Sequence, residues 1–139
     1  LSSQDNRMVS LSEEVKQVEK LIELSTLRFE NELYLKLHKK GKLKEAQIPP
    51  LILVTLVENM LKHGDLGEKD HPGKIQVELT GNFLRFTTRN LKRMSTPHAK
   101  SGMGLQNIEK RLSNLFPEKH TFTISDEDTI YYTELTLNL

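Results

Sequence analysis

The chain has 139 residues, with 20 basic and 19 acidic side chains, no cysteine and a formal net charge of +1. That length supports one domain able to bury a core without disulfides or a metal staple, and the lack of cysteine excludes disulfide, zinc-thiolate and cysteine-nucleophile chemistry. The near-neutral balance argues against a dedicated nucleic-acid binder, and the longest apolar run, Leu51 to Val57 broken by Thr55, is too short for a membrane span.

The opening LSSQDNRMVS is polar, unlike a secretion signal. With no initiating Met it reads as a leader or linker remnant over 1–10, ahead of a single domain over 11–139. Ser10 and Glu13 have the spacing of a capping box. Leu11, Val15, Val18, Ile22 and Phe29 then recur at helical intervals and predict an amphipathic helix over 11–30. Glu13, Glu14, Lys16, Glu19, Lys20 and Glu23 form its expected solvated face. Leu33, Leu35 and Leu37 alternate as a strand, and KKGKLKEAQ is a basic turn and loop. Pro49 and Pro50 suit the start of a helix. LILVTLVENMLKHG continues it, apolar nearly all round for two turns, which predicts deep burial, and Gly64 suits a left-handed cap.

DLGEKDHPG is a polar loop. Ile75, Val77 and Leu79 alternate, Gly81-Asn82 is a hairpin turn, and the chain returns as a strand over 83–88. A long basic loop, RNLKRMSTPHAKSGMG, follows; loops of this length inside a compact domain are usually functional. Leu105, Ile108, Leu112 and Leu115 share one face of a helix over 103–115. Phe122 and Ile124 form a short strand, Asp126 to Asp128 a turn, and 130–139 a last strand. This order predicts an α/β fold, a two-layer sandwich with a mixed, largely antiparallel sheet covered on one face by three helices.

Three segments can carry chemistry. In VENMLKHG, Asn59 and His63 share a helix face, as do Glu58 and Lys62. A carboxylate, an amide, an ammonium and an imidazole on a buried helix are costly unless they line a wet cavity. The plainer alternative is a surface stripe with a Glu58–Lys62 pair worth about 0.3 kcal/mol. In SGMGLQNIEKRL, Gly102 and Gly104 precede a helix whose first N–H groups favour phosphate, although tight turns need glycine as well. Arg89, Lys92, Arg93 and Lys100 make the intervening loop basic, a feature most often merely solvated. Polar helix end, basic loop and GxG helix start, in that order, suit a triphosphate with a divalent ion.

IPPLILVTLVENMLKHG followed by SGMGLQNIEKRLSNLFP resembles the ATP-binding catalytic domain of sensor histidine kinases of the LytS type, in which a proline pair precedes a ValGluAsn box ending in LysHisGly. LRFENEL after the first helix matches the same pattern. The resemblance covers 11–139 and implies the Bergerat fold of the gyrase, histidine kinase and MutL superfamily. It implies a protein histidine kinase fragment whose box residues Glu58, Asn59 and Lys62 serve catalysis. Asn59 would bind Mg²⁺, since an amide oxygen is a hard ligand. Lys62 and His63 would lie beside the phosphates of ATP, with Lys92 in the basic lid over 91–101. Gly102 and Gly104 would be the lid's hinges, Met103 and Leu105 would wall the pocket, and Thr133 would support adenine.

One departure stands out. The family has an Asp, followed by glycines, that accepts from the adenine amine; here Asn90 takes that place and the glycines are missing. Its amide oxygen can still accept, without the charge assistance of a carboxylate; the plainer alternative is a turn residue ending a strand. No HisPheXPheAsn-like stretch surrounds His38, His63, His71, His98 or His120, so the chain reads as a catalytic half lacking its acceptor.

The implied partners are ATP, a histidine-bearing dimerisation domain of the same kinase and a response regulator, with no nucleic acid. The fragment is expected to be monomeric and cytoplasmic, and the full-length kinase a homodimer anchored in the inner membrane. The rival readings are a degenerate nucleotide sensor or pseudokinase, and an interaction module that binds no nucleotide.

Overall fold

The computed structural model describes residues 7–93 and 103–139. In chain order these form β1 (Val9–Ser10), α1 (Leu11–Arg28), β2 (Leu35–Lys40), a short 3₁₀ turn (Leu43–Glu45), β3 (Gln47–Ile48), α2 (Ile52–His63), β4 (Gly64–Asp65), β5 (Gly73–Thr80), β6 (Phe83–Lys92), α3 (Met103–Leu115), β7 (His120–Glu127) and β8 (Ile130–Asn138).

Ser10 starts α1 by accepting the backbone N–H of Ser12 on its hydroxyl at 3.2 Å. Val9 and Ser10, placed before the domain by the sequence, pair antiparallel with β3. Leu11, Val15 and Val18 are buried, but the stripe does not reach Phe29: that residue lies beyond the helix and is 42% exposed, and Leu24 and Leu27 are 65% exposed.

The main sheet has the order β2-β5-β6-β8-β7, with β4 added to β6. β2 runs parallel to β5, and every other pair in this sheet is antiparallel. The predicted hairpin forms at Gly81-Asn82, where Thr80 faces Phe83 and Gly81 takes φ 60. β6 is longer than the sequence predicts. Arg89, Asn90, Leu91 and Lys92 are strand rather than loop, because β8 pairs one edge as far as Leu91 and β4 pairs Leu91 and Lys92 on the other. The turn predicted at Asp126–Asp128 begins later: Asp126 and Glu127 belong to β7, and Asp128 bends the chain with φ 45.

Ile75, Val77, Leu84, Phe86, Leu135 and Leu137 line the covered face of the sheet and pack with α1, α2 and α3 in one core. The opposite face is polar. There Arg85 Nε donates to Glu134 Oε2 at 2.8 Å, with Glu78 3.8 Å from the same guanidinium. The hydrogen bond to Glu134 raises the Arg85 pKa, and burial, then Glu134, raises that of Tyr132. The predicted two-layer α/β sandwich is thus the observed architecture.

Candidate functional site

α2 changes character along its length. Ile52, Leu53, Leu56, Val57 and Met60 are buried, whereas Glu58 and Lys62 are exposed and Asn59 and His63 half-buried. The Glu58–Lys62 pair allowed by the spacing is not formed.

Its N-terminal end cannot cap itself. The helix begins at Ile52, after the proline pair rather than at it, and Leu51 takes the cap position with φ 70 and no side-chain acceptor. The acceptor comes from α1. Glu14, 2% exposed, takes the N–H of Leu51 on Oε1 at 3.0 Å and those of Leu53 and Val54 on Oε2 at 3.1 and 3.2 Å. Glu14 is therefore not on a solvated face. A carboxylate there also meets the positive end of the helix dipole.

The C-terminal end is built around Gly64. It is extended, with φ −88 and ψ 154, so it is not the left-handed cap the sequence predicts. It is glycine because a Cβ would lie 2.6 Å from Asn90 Nδ2 and 2.7 Å from the Met60 carbonyl oxygen. Asn90 is 4% exposed and donates through Nδ2 to the Leu91 carbonyl at 2.6 Å. Its Oδ1 is buried with no partner among the described residues. Leaving a buried acceptor unpaired costs about 1–3 kcal/mol, so this oxygen suits a donor from outside the chain.

Around Asn90 the covered sheet face turns polar. Thr88 and Thr133, both 1% exposed, face each other across β6 and β8 with hydroxyls 2.6 Å apart. Tyr131 of β8 stands opposite Asn90 of β6 and opposite Asp126 of β7. Burial raises the Tyr131 pKa, a side-chain hydrogen bond from Asn59 opposes that rise, and the Asp126 charge adds to it. Lys92 Nζ reaches over to Asp126 Oδ1 at 2.6 Å, and Arg93 Nε donates to the Gly64 carbonyl at 3.0 Å.

α3 approaches the same helix face: a Cβ on the exposed Gly104 would lie 3.4 Å from Thr55 Cγ2, one turn before Asn59. Leu105 is 3% exposed and packs in the core with Ile108 and Leu112. Met103 begins α3; Gly102 and the lid segment 94–101 lie outside the described residues. Asn59, His63, Asn90, Lys92 and Thr133 thus gather about the end of α2 and the facing strand ends.

The sequence does not single out Glu14, Tyr131 or Asp126. Two of them carry a usable signal: Glu14 is three residues after Leu11 and four before Val18, on the buried stripe, and Tyr131 shares strand parity with Thr133.

The arrangement offers one orphaned acceptor, a hydroxyl pair, an amide and cations at the rim. That set fits a nucleotide: an exocyclic amine can donate to Asn90 Oδ1, and Asn59 is a hard oxygen donor of the kind Mg²⁺ uses when phosphates and water fill its other positions. Among the described residues no group of three or more His, Cys, Asp or Glu side chains forms a metal site, and no helix is long and apolar enough to cross a membrane.

No protein-family model matches the chain. It is 26% identical over 137 residues to the sensor histidine kinase BtsS of Escherichia coli, covering 96% of this chain and 24% of that protein. It is 26% identical over 134 residues to the sensor protein LytS of Bacillus cereus, covering 86% and 23%. The chain therefore spans about a quarter of the length of these relatives. The catalytic domain of the histidine kinase ThkA superposes with a TM-score of 0.67 at 14% identity, covering 97% of both chains. ThkA in complex with the response regulator protein TrrA gives 0.61 over 94% of this chain and 41% of that one, at 14% identity. The chain is thus similar to the BtsS and LytS sensor histidine kinases over 96% and 86% of its length, and its fold is that of the ThkA histidine kinase catalytic domain.

Proposed function

We propose that residues 11–139 form the ATP-binding domain of a two-component histidine kinase, which binds Mg-ATP and presents the γ-phosphate to a histidine of a separate dimerisation domain. The observation that carries this reading is the orphaned Asn90 Oδ1 near the Thr88–Thr133 pair, a buried acceptor on β6 beside Gly64 at the end of α2. An adenine amine supplies the missing donor. Asn59 is the candidate Mg²⁺ ligand, and His63, Lys62 and Lys92 stand on the phosphate side. Mg²⁺, when bound, neutralises phosphate charge. Little covalent chemistry falls to the protein; positioning and charge stabilisation do the work. Transfer needs reacting atoms about 3–3.5 Å apart, which a histidine carried on another domain supplies only when docked. A response regulator as downstream partner, a homodimeric full-length kinase and its anchoring in a membrane belong to the same proposal.

Titration calorimetry tests it. The parent domain should bind Mg-ATP and prefer it to Mg-GTP, whose base presents a carbonyl where adenine presents an amine. Asn59→Ala should fold normally and weaken Mg-ATP binding at least about tenfold, or 1.4 kcal/mol. Equal affinity for ATP and GTP, or an unchanged Asn59→Ala, overturns the assignment. A second reading, a weak nucleotide sensor, is favoured by one feature: Asn90 is an amide, so its hydrogen bond to adenine lacks a charged partner.

A further inference from the structure

We propose that the outer edge of β2 is a strand-addition site for an extended acidic segment of a partner protein. This edge lies two strands away from β6, which carries Asn90, so the site is separate from the proposed nucleotide site.

Two independent features meet there. The first is an open backbone edge. β2 is six residues long and ends the sheet order, and no strand pairs with its outer side among the described residues. In a parallel ladder alternate residues of a strand bond to the partner. The Tyr34 carbonyl accepts the Gly73 N–H at 2.9 Å and sets the phase. Lys36, His38 and Lys40 therefore bond towards β5, and Leu35, Leu37 and Lys39 direct their N–H and C=O groups outward. Unpaired rows of this kind are templates for another strand. The second feature is charge. Lys36, His38, Lys39, Lys40, Lys42 and Lys44 are all exposed, with no acid among residues 36–44. Among the described residues only Lys39 of this set is in an ion pair, with Glu19 at 2.9 Å. On the open face of the sheet Lys36 also lies beside Lys74 of β5, and Lys74 beside Arg89 of β6. Like charges directly opposite one another destabilise a sheet. Arg85 on the same face is neutralised by Glu134 and Glu78, whereas this row has no carboxylate partner among the described residues.

The charge selects the occupant. A second copy of this chain adding through its own β2 sets lysines against lysines, so the edge rejects itself, as native sheet edges commonly do. A basic strand meets the same repulsion. A lipid surface meets the cations but leaves the outward N–H and C=O groups unused. A strand with carboxylates at alternate positions satisfies both features. Its main chain completes the ladder on Leu35, Leu37 and Lys39, and its acidic side chains on the open face lie beside Lys36 and Lys40. In strand addition the main-chain bonds supply affinity and the side chains choose the partner.

The probe is a synthetic octapeptide of alternating glutamate and valine, titrated into the 139-residue chain by calorimetry. Its controls are the same peptide with lysine for glutamate and the glutamate peptide fully N-methylated, which keeps the charges and loses every backbone donor. The acidic peptide should bind, the lysine peptide should not, and N-methylation should weaken binding at least about tenfold as the ladder is lost. Lys39→Pro removes an outward N–H without touching the bonds to β5, a place where an edge strand tolerates proline. It should weaken the acidic peptide about tenfold. Lys39→Ala, which loses only the surface pair with Glu19, should stay within about threefold of the parent. The double variant Lys36→Glu, Lys40→Glu should lose the acidic peptide and take up the lysine one, and it decides the matter if the proline form does not fold. No binding of the acidic peptide by the parent overturns the proposal. So does equal binding of the N-methylated peptide, or a Lys39→Pro that matches Lys39→Ala, since either leaves charge alone at work. Capture of phosphatidylglycerol vesicles in place of the peptide assigns the cations to a lipid surface and overturns it as well.

Discussion

At the N-terminal end of α2 one buried carboxylate satisfies three backbone N–H groups, whereas at the C-terminal end a buried amide oxygen is left without a partner among the described residues. Each end meets a buried polar side chain brought from a distant part of the chain, Glu14 at one and Asn90 at the other. They differ in who completes them. Glu14 closes its end with groups from the chain itself, so that end stores no capacity for a ligand. The Asn90 end keeps an acceptor open at a cost in stability. The lesson is that burial of a polar side chain does not mark a site; burial with an unfilled hydrogen-bonding capacity does.

The contrast can be broken most forcefully at the closed end. Glu14→Ala should cost about 3 kcal/mol, because it strands buried N–H donors and deletes charge-assisted bonds. Urea unfolding measures it, and nucleotide affinity in the surviving folded fraction should barely move. A loss below about 1 kcal/mol would show the helix start to be satisfied in another way. At the open end, Gly64→Ala forces a Cβ to 2.6 Å from Asn90 Nδ2 and 2.7 Å from a backbone carbonyl. Such crowding should cost about 2 kcal/mol. Unlike Glu14→Ala it should also lower ATP affinity, since Asn90 must shift to make room; calorimetry on a variant still folded at low temperature reads the two effects separately. The smallest change sharpens the comparison. Asn90→Asp puts a carboxylate where the amide oxygen waits and removes the donor to the Leu91 carbonyl, so the free protein should lose roughly 1–3 kcal/mol. Discrimination of ATP over GTP should rise a few-fold as the acceptor strengthens. A variant with both stability and selectivity unchanged would mean that Asn90 faces no base.

These two ends were not equally legible in the sequence. The three helices and the hairpin at Gly81-Asn82 are written in periodicity and turn chemistry, which act over short distances. β1, β3 and β4 are two residues long and have no period to read. They exist because a neighbouring strand offers pairing, a tertiary cause. Asn59, His63, Asn90 and Thr133 could be singled out through the boxes they sit in. Glu14 could not, because its role is set by the missing cap at Leu51, distant in sequence. Taking α1 alone, any glutamate beside an apolar stripe looks solvated; only the αL start of α2, with no acceptor of its own, creates the demand that buries it. Tyr131 was hidden for a related reason: a tyrosine in an edge-proximal strand is unremarkable until the register places it opposite Asn90. Gly64 was identified as structurally special, but for backbone freedom, when the real constraint is space.

The single parallel pairing in the main sheet, β2 with β5, has a consequence for the order of assembly. The β5–β6 hairpin closes through its tight turn, an event of about 1–10 μs for isolated hairpins. β2 joins it only after the chain over 41–72, including all of α2, has been threaded across the sheet. Closing so long a connection costs loop entropy before any strand contact repays it. On that ground α2 is expected to dock before the sheet acquires its outer strand, with Glu14 of α1 holding the start of α2 in the finished fold. An edge strand is a natural early element to open in the native state, so amide hydrogens along Leu35–Lys40 should exchange ahead of those of the central strands β6 and β8, which carry Asn90, Thr88 and Thr133.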